Sequence, residues 1–169
     1  MPSPVGHALG GIAAGWAVVP RRNRQAAILL AAIAVAPDLD LLAGAHREAS
    51  HSVGAAVIAG VVAAGLWSAF APAASRRDAW RWGVAATLAW GSHVLLDWLS
   101  NDTRPPIGVM ALWPLSPAYY KAAIEIFPPV SRRYWESRFV VYNLRALVVE
   151  LAVLGPLAGL VVWRMRRAR

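Results

Sequence analysis

From Val53 to Pro72 the chain runs twenty residues without a charge, mostly on Ala, Val and Gly. As a helix that stretch is about 30 Å long, the thickness of a bilayer's hydrocarbon core. It reads as a membrane span, and the rest of the chain must be compatible with one. The composition agrees: 58% of residues are hydrophobic and 15% charged, against roughly 45–50% and about 25% in soluble domains.

Four more apolar segments flank it. Residues 4–19 open on Pro4 and stop at Pro20, and residues 25–36 stop at Pro37 unless the helix runs on through Leu42. Both are short for a core that usually takes about 20 residues. Gly6, Gly10, Gly11, Ala14 and Gly15 recur at three- and four-residue spacing, which lets a neighbouring helix come close. Residues 80–99 carry His93 and Asp97, and residues 142–163 form a fifth segment, read as apolar through its middle. Between the last two, Ser100 to Val141 holds Pro105, Pro106, Pro114, Pro117, Pro128 and Pro129, with Trp113, Tyr119, Tyr120, Tyr134 and Trp135 among them. Prolines break a long helix and amphipathic aromatics favour the headgroup level. This piece is expected to be an interfacial cap with a short helix around Pro117–Ile126. The expected fold is an all-α integral membrane bundle of four to five transmembrane helices, a single domain over residues 1–169 with residues 100–141 as its cap.

The net charge of +8 is spread as three arginine knots: Arg21, Arg22 and Arg24; Arg76, Arg77 and Arg81; Arg164, Arg166, Arg167 and Arg169. Each abuts an apolar segment, the pattern of positive charge kept on the cytoplasmic side, so nucleic acid is a disfavoured partner. Ten of the 17 Lys and Arg then lie on that side. The C-terminus is expected to be cytoplasmic, with Pro37–Ser52 and Asp97 on the opposite face. The N-terminus lacks the basic region of a cleavable signal and is expected to stay on the protein. The absence of cysteine excludes disulfides and thiolate metal sites, so any metal is held by N and O ligands.

This topology gathers His7 at the start of helix 1, Asp38 and Asp40 at the end of helix 2, His46 and His51 before helix 3, and His93 and Asp97 at the end of helix 4. Every histidine in the chain is in the set. His93 and Asp97 are four apart and share a helix face. Asp38 and Asp40 straddle one residue after a proline and, in extended geometry, point the same way. Ionisable groups at the edge of hydrocarbon are costly and mark function by default. Singly, each has an ordinary reading: His7 a core histidine, Asp38 a turn residue, Arg47 a snorkelling cation, Glu48 a solvated loop charge. Seven together at one end of a bundle point to a divalent metal, zinc first, with manganese or iron next, as one ion or two. The reaction such a site suits is hydrolysis of a phosphoester, with Arg47 steadying the developing negative charge. The substrate class is a phospholipid or another amphiphile arriving sideways from the membrane. A non-catalytic metal-binding transporter or sensor, and a structural membrane protein, are the alternatives; with no ionisable residue in the middle of helices 3 and 5, transport is the less favoured.

Met1-Pro2-Ser3-Pro4-Val5-Gly6-His7-Ala8, Pro37-Asp38-Leu39-Asp40, His46-Arg47 with His51-Ser52, Ser92-His93-Val94-Leu95-Leu96-Asp97 and Leu112-Trp113-Pro114-Leu115-Ser116 follow one another in order over most of residues 1–116. In combination they resemble the predicted membrane-bound metal-dependent hydrolases, a family described as LexA-binding and inner-membrane-associated. The resemblance implies a multi-spanning inner-membrane protein with a divalent metal and hydrolase activity. The order of motifs is also distantly similar to zinc-dependent phospholipase C and related single-strand nucleases. That similarity implies His7, Asp38, His46, His51, His93 and Asp97 as ligands and Asp40 as ligand or general base. The chain departs from the family's His-Arg-Gly-x-Thr-His-Ser by carrying Glu48 in place of the glycine, which alters the loop's backbone or adds a ligand. The C-terminal third resembles the family only in being apolar.

Overall fold

A computed structural model describes residues 1–44, 46–102 and 105–167. Five helices follow in order: α1 (Pro4–Gly15), α2 (Arg24–Val35), α3 (Val53–Phe70), α4 (Ala79–Trp98) and α5 (Phe139–Arg167). Among the described residues there is no strand, only two isolated bridges, Ser100 with Phe127 and Val109 with Tyr120. The all-α bundle of the sequence reading is the observed fold. Among the described residues three stretches are long and apolar enough to cross a membrane: Arg24–Leu42, Val53–Phe70 and Phe139–Val161.

Local chemistry sets the helix ends. Ser3 caps α1 by accepting from the Gly6 amide, with Pro4 in the first turn. Asn23 caps α2 through Ala26, and Ser52 caps α3 through Ala55, both at 2.9 Å. α1 stops four residues short of the expected Val19. The amides of Val18 and Val19 both return to the Gly15 carbonyl, closing the turn before Pro20. The Arg22 guanidinium then donates to the carbonyls of Trp16 and Ala17 at the helix end.

Pro37 does not end the second segment; it changes its pitch. With no N–H, and a ring that crowds the carbonyl four residues back, it stops the α-ladder at Val35. The chain continues as a 3-10 helix over Ala36–Ala43, closed by Gly44 at φ 73°. That corrects the extended geometry expected for Asp38 and Asp40. At about three residues per turn, two positions that straddle one residue diverge by roughly 120°. The two carboxylates therefore face different neighbours.

The short α1 is the centre of the bundle, packed on α2, α4 and α5, while α3 packs on α4. A Cβ at Gly11 would run into the Ala34 side chain and come within 2.8 Å of the Leu30 carbonyl, so α1 and α2 approach as only glycine allows. The largest apolar cluster joins Val19, Leu30, Ala34, Trp82, Ala85 and Ala89. The outer faces of α3 and α5 are apolar and exposed, as at Val57, Val61, Leu66, Leu144, Val148 and Leu157, the surface expected of helices against lipid.

The cap carries no helix at Pro117–Ile126, where the sequence suggested one. Its backbone is instead engaged across the fold: Val109 and Tyr120 exchange both hydrogen bonds at 2.9 Å, and Ile126 donates to the Leu99 carbonyl. These pairings need extended chain, and tertiary contacts override local helix preference.

Candidate metal centre

Four separate pieces of chain deliver the polar cluster to one end of the bundle. From Arg81, twelve and sixteen residues up α4 at 1.5 Å each put His93 about 18 Å and Asp97 about 24 Å from the arginine-rich end. The loop between α2 and α3 is pinned over this end. Trp90 of α4 donates to the Ser50 carbonyl at 2.8 Å, the Met110 amide to the Arg47 carbonyl at 3.1 Å, and the Val53 amide to the Ala111 carbonyl at 2.9 Å. Arg47, at φ 68°, takes the strained left-handed backbone. Glu48 beside it is exposed and joins neither ligand group.

Two groups form, sharing His51: Asp38, His51, His93 and Asp97 make the deeper one, Asp40, His46 and His51 the shallower. His7 completes the first, stacked on the His93 ring at 3.8 Å between centroids, its Nε2 3.4 Å from Asp97 Oδ1. All seven residues anticipated from the sequence therefore meet. His7, His51 and His93 are fully buried.

The hydrogen bonds assign roles within the groups. His93 Nδ1 lies 2.7 Å from the Ala34 carbonyl, which only accepts, so Nδ1 carries the proton and Nε2 a lone pair. His51 Nδ1 lies 3.0 Å from Asp40 Oδ2, and by the same logic donates to it. The two Nε2 atoms then face each other at 3.0 Å. Two imidazole lone pairs at that distance repel unless a proton or a metal ion stands between them.

The carboxylates around them make the same demand. Asp38 Oδ1, both oxygens of Asp97 and both nitrogens of His7 are buried with no hydrogen-bond partner; among the described residues the one other such atom is Trp82 Nε1. Buried carboxylates without partners cost several kcal/mol each, and a divalent cation would neutralise them. The separations suit one. His51 Nε2 is 3.6 Å from Asp38 Oδ1 and 3.4 Å from Asp97 Oδ2, and His93 Nε2 is 3.7 Å from each. Ligands about 2.0–2.1 Å from a tetrahedral zinc stand roughly 3.3 Å apart. The residues fit an N/O-ligated divalent ion, with Asp38, His51, His93 and Asp97 to hold it and His7 beside them.

Asp40 is the opposite case, because nothing on it is free. Its Oδ1 meets His46 Nδ1 at 3.1 Å, and its Oδ2 accepts from Ser50 Oγ at 2.6 Å, the Arg47 amide at 3.2 Å and His51 Nδ1. It orients two imidazoles and ties the loop together. Burial would lower the pKa of His51, but the carboxylates of Asp38, Asp40 and Asp97 close around its ring lift it to about 9. Burial holds His46 below its ordinary value despite Asp40. The Arg47 guanidinium, expected to meet substrate, is engaged by the Asp102 carboxylate.

The sequence reading passed over two contributors. The fifth segment is not apolar through its middle: Glu150 on α5 is fully buried and accepts from the Ser3 amide at 2.6 Å and from its hydroxyl. It anchors the start of α1 one turn before His7. An acid inside an apolar run was the available signal. Asp102, which holds Arg47 and accepts from the Gly108 amide, had no signal, since an acid in a proline-rich loop is unexceptional.

No curated protein and no solved structure matches the chain. The family comparison does, over residues 1–168. An apolar helical bundle with three candidate spans and a His/Asp group able to hold a metal at one end is thus found in a chain that belongs to the YdjM inner membrane protein family.

Proposed function

We propose that this chain is a membrane-embedded, metal-dependent hydrolase that cleaves a phosphoester of a lipid or another amphiphile. The observation that carries the reading is the pair of imidazole nitrogens, His51 Nε2 and His93 Nε2, converging at 3.0 Å among the buried oxygens of Asp38 and Asp97 that have no hydrogen-bond partner. When bound there, a divalent ion, zinc before manganese or iron, supplies Lewis acidity and an acidified water. Asp38, His51, His93 and Asp97 would hold it, with His7 stacked beside them on the His93 ring. Asp40 fixes the tautomers of His51 and His46 through their Nδ1 atoms. His46 Nε2, which meets only the weakly interacting Met1 thioether at 3.1 Å, would take or give a proton at the leaving oxygen. Whether the shallower group takes a second ion is decided by stoichiometry.

The depth of the site supports an amphiphilic substrate. If the arginine knots mark the cytoplasmic face, a core about 30 Å thick extends beyond Asp97. α5 supports this, since Glu150 lies eleven residues, about 16 Å, in from its start. Val140, Val141 and Leu144 are exposed along that stretch. A headgroup would enter from the extracytoplasmic leaflet without leaving the membrane. Glu150 does not reopen the transport reading, because Ser3 already engages its carboxylate.

The test is turnover by detergent-solubilised, zinc-loaded protein on phosphatidylglycerol and phosphatidylethanolamine in mixed micelles, followed by lipid mass spectrometry. Wild type is expected to release headgroup or phosphate, and Asp97→Asn to fall by at least a thousandfold. No turnover of any phosphoester by protein that holds its metal would leave a non-catalytic binding protein.

A further inference from the structure

Beside the shallower group, on the side of His46, lies a cleft of about 490 Å³. Pieces of chain far apart in sequence build it, among them His46 and Arg47 before α3, Asn101 and Asp102 after α4, and Arg132 and Arg133 just before α5. Its volume suits a headgroup rather than a whole lipid.

Among the described residues three guanidiniums line this cleft, and they are not equivalent. Arg47 is neutralised by Asp102, and Arg133 by Glu136 at 2.8 Å. Arg132 has no carboxylate partner among the described residues; its Nη2 meets the thioether of Met1 at 2.8 Å. A thioether is a weak acceptor, so nearly all the donor capacity of Arg132 is unspent. His46 Nε2 lies 3.1 Å from the same sulfur. With 2.8 and 3.1 Å to a common atom, the two nitrogens are at most about 6 Å apart, a gap that one phosphate with its hydrogen bonds fills. The flexible Met1 side chain occupies that gap and can leave it by rotation about its own bonds.

We propose that this cleft is the anion pocket of the site and that Arg132 binds the phosphate oxygens of its ligand. The proposal rests on the phosphoesterase reading and deepens it by naming the recognition residue. Arginine suits the task because its planar fork pairs with two phosphate oxygens at once. The sequence reading gave this part to Arg47, which is already paired; Arg132 lies in the third of the chain where the family resemblance is weakest. The chemistry recognised is a phosphate, presented by a lipid headgroup or free in solution.

The experiment is equilibrium binding of two probes, inorganic phosphate and dihexanoyl phosphatidic acid, to the full chain in detergent. It is run with zinc and after chelation, with metal content measured on every sample. Wild type is expected to bind, Arg132→Ala to bind at least tenfold more weakly, Arg132→Lys to fall between, and Arg76→Ala at the far end of the bundle to match wild type. Tighter binding of the lipid assigns the pocket to phospholipid headgroups; equal binding assigns it to phosphate as such. Arg132→Ala that keeps its metal and binds both probes like wild type overturns the proposal and leaves the metal reading untouched. Wild type without metal, yet with Arg132-dependent binding, does the reverse.

Discussion

Asp40 and Asp97 are both buried carboxylates among histidines, and their hydrogen bonds separate them. Asp97 has no partner for either oxygen, whereas Asp40 serves four donors. Asp97→Asn is therefore expected to abolish metal binding, and Asp40→Ala to weaken it about 10- to 100-fold, as the loss of a ligand-orienting carboxylate does. Competition titration with a chelator checks this; equal losses would remove the distinction. His51 gives a pH prediction. Without metal its pKa is raised to about 9, so its protonation stabilises the metal-free fold below its ordinary value, and that contribution fades as the pH rises through 9. The metal needs the neutral ring, so affinity is expected to rise about tenfold per pH unit between 7 and 9 for the one proton displaced. Calorimetry in buffers of different ionisation enthalpy would return about one proton per ion, and none would contradict the assignment. All seven candidate ligands were legible in the sequence, since histidines and acids are conspicuous in so apolar a chain. Their division of labour was not, because it depends on which carboxylate oxygen meets which donor. Glu150 was legible but missed, being one acid in a long apolar run.

At the scale of elements, the twelve-residue α1 carries His7 into the centre of the bundle because its glycines let three helices close around it. Gly11→Ala would press a methyl into Ala34 and is expected to cost about 1–3 kcal/mol. Gly65→Ala, with nothing within 4 Å of the new carbon on α3, is expected to be neutral or stabilising by up to about 1 kcal/mol. Thermal unfolding in detergent distinguishes them, and equal shifts would argue against the close packing of α1. The glycine spacing made this contact readable in advance. Pro37 was readable only as a stop; that the chain would tighten into a 3-10 helix and splay Asp38 from Asp40 depended on its packing under the loop. The cap resisted reading for the same reason, since Val109 and Tyr120 find each other only in the folded chain.

Across the whole molecule, charge and chemistry lie at opposite ends. The loops near Arg22 and Arg76 form one end, and the His/Asp groups with the cap form the other. The positive-inside rule predicts the arginine-rich end to be cytoplasmic, and the chain's lack of cysteine makes single-cysteine labelling direct. Ser137→Cys in the cap is expected to react with an impermeant maleimide in intact cells, and Ala74→Cys, between α3 and α4, only after permeabilisation; the reverse pattern would invert the topology. Hydrolysis at this site depends on an ion being held where His51, His93, Asp38 and Asp97 converge. The first measurement is therefore metal content by mass spectrometry on detergent-purified protein, wild type beside His93→Ala and Asp38→Ala. About one to two equivalents of zinc, manganese or iron in wild type, lost in both well-folded variants, is the predicted result. Wild type prepared free of chelator that carries no metal, with both variants folding normally, would mean that these residues only hold helix ends together.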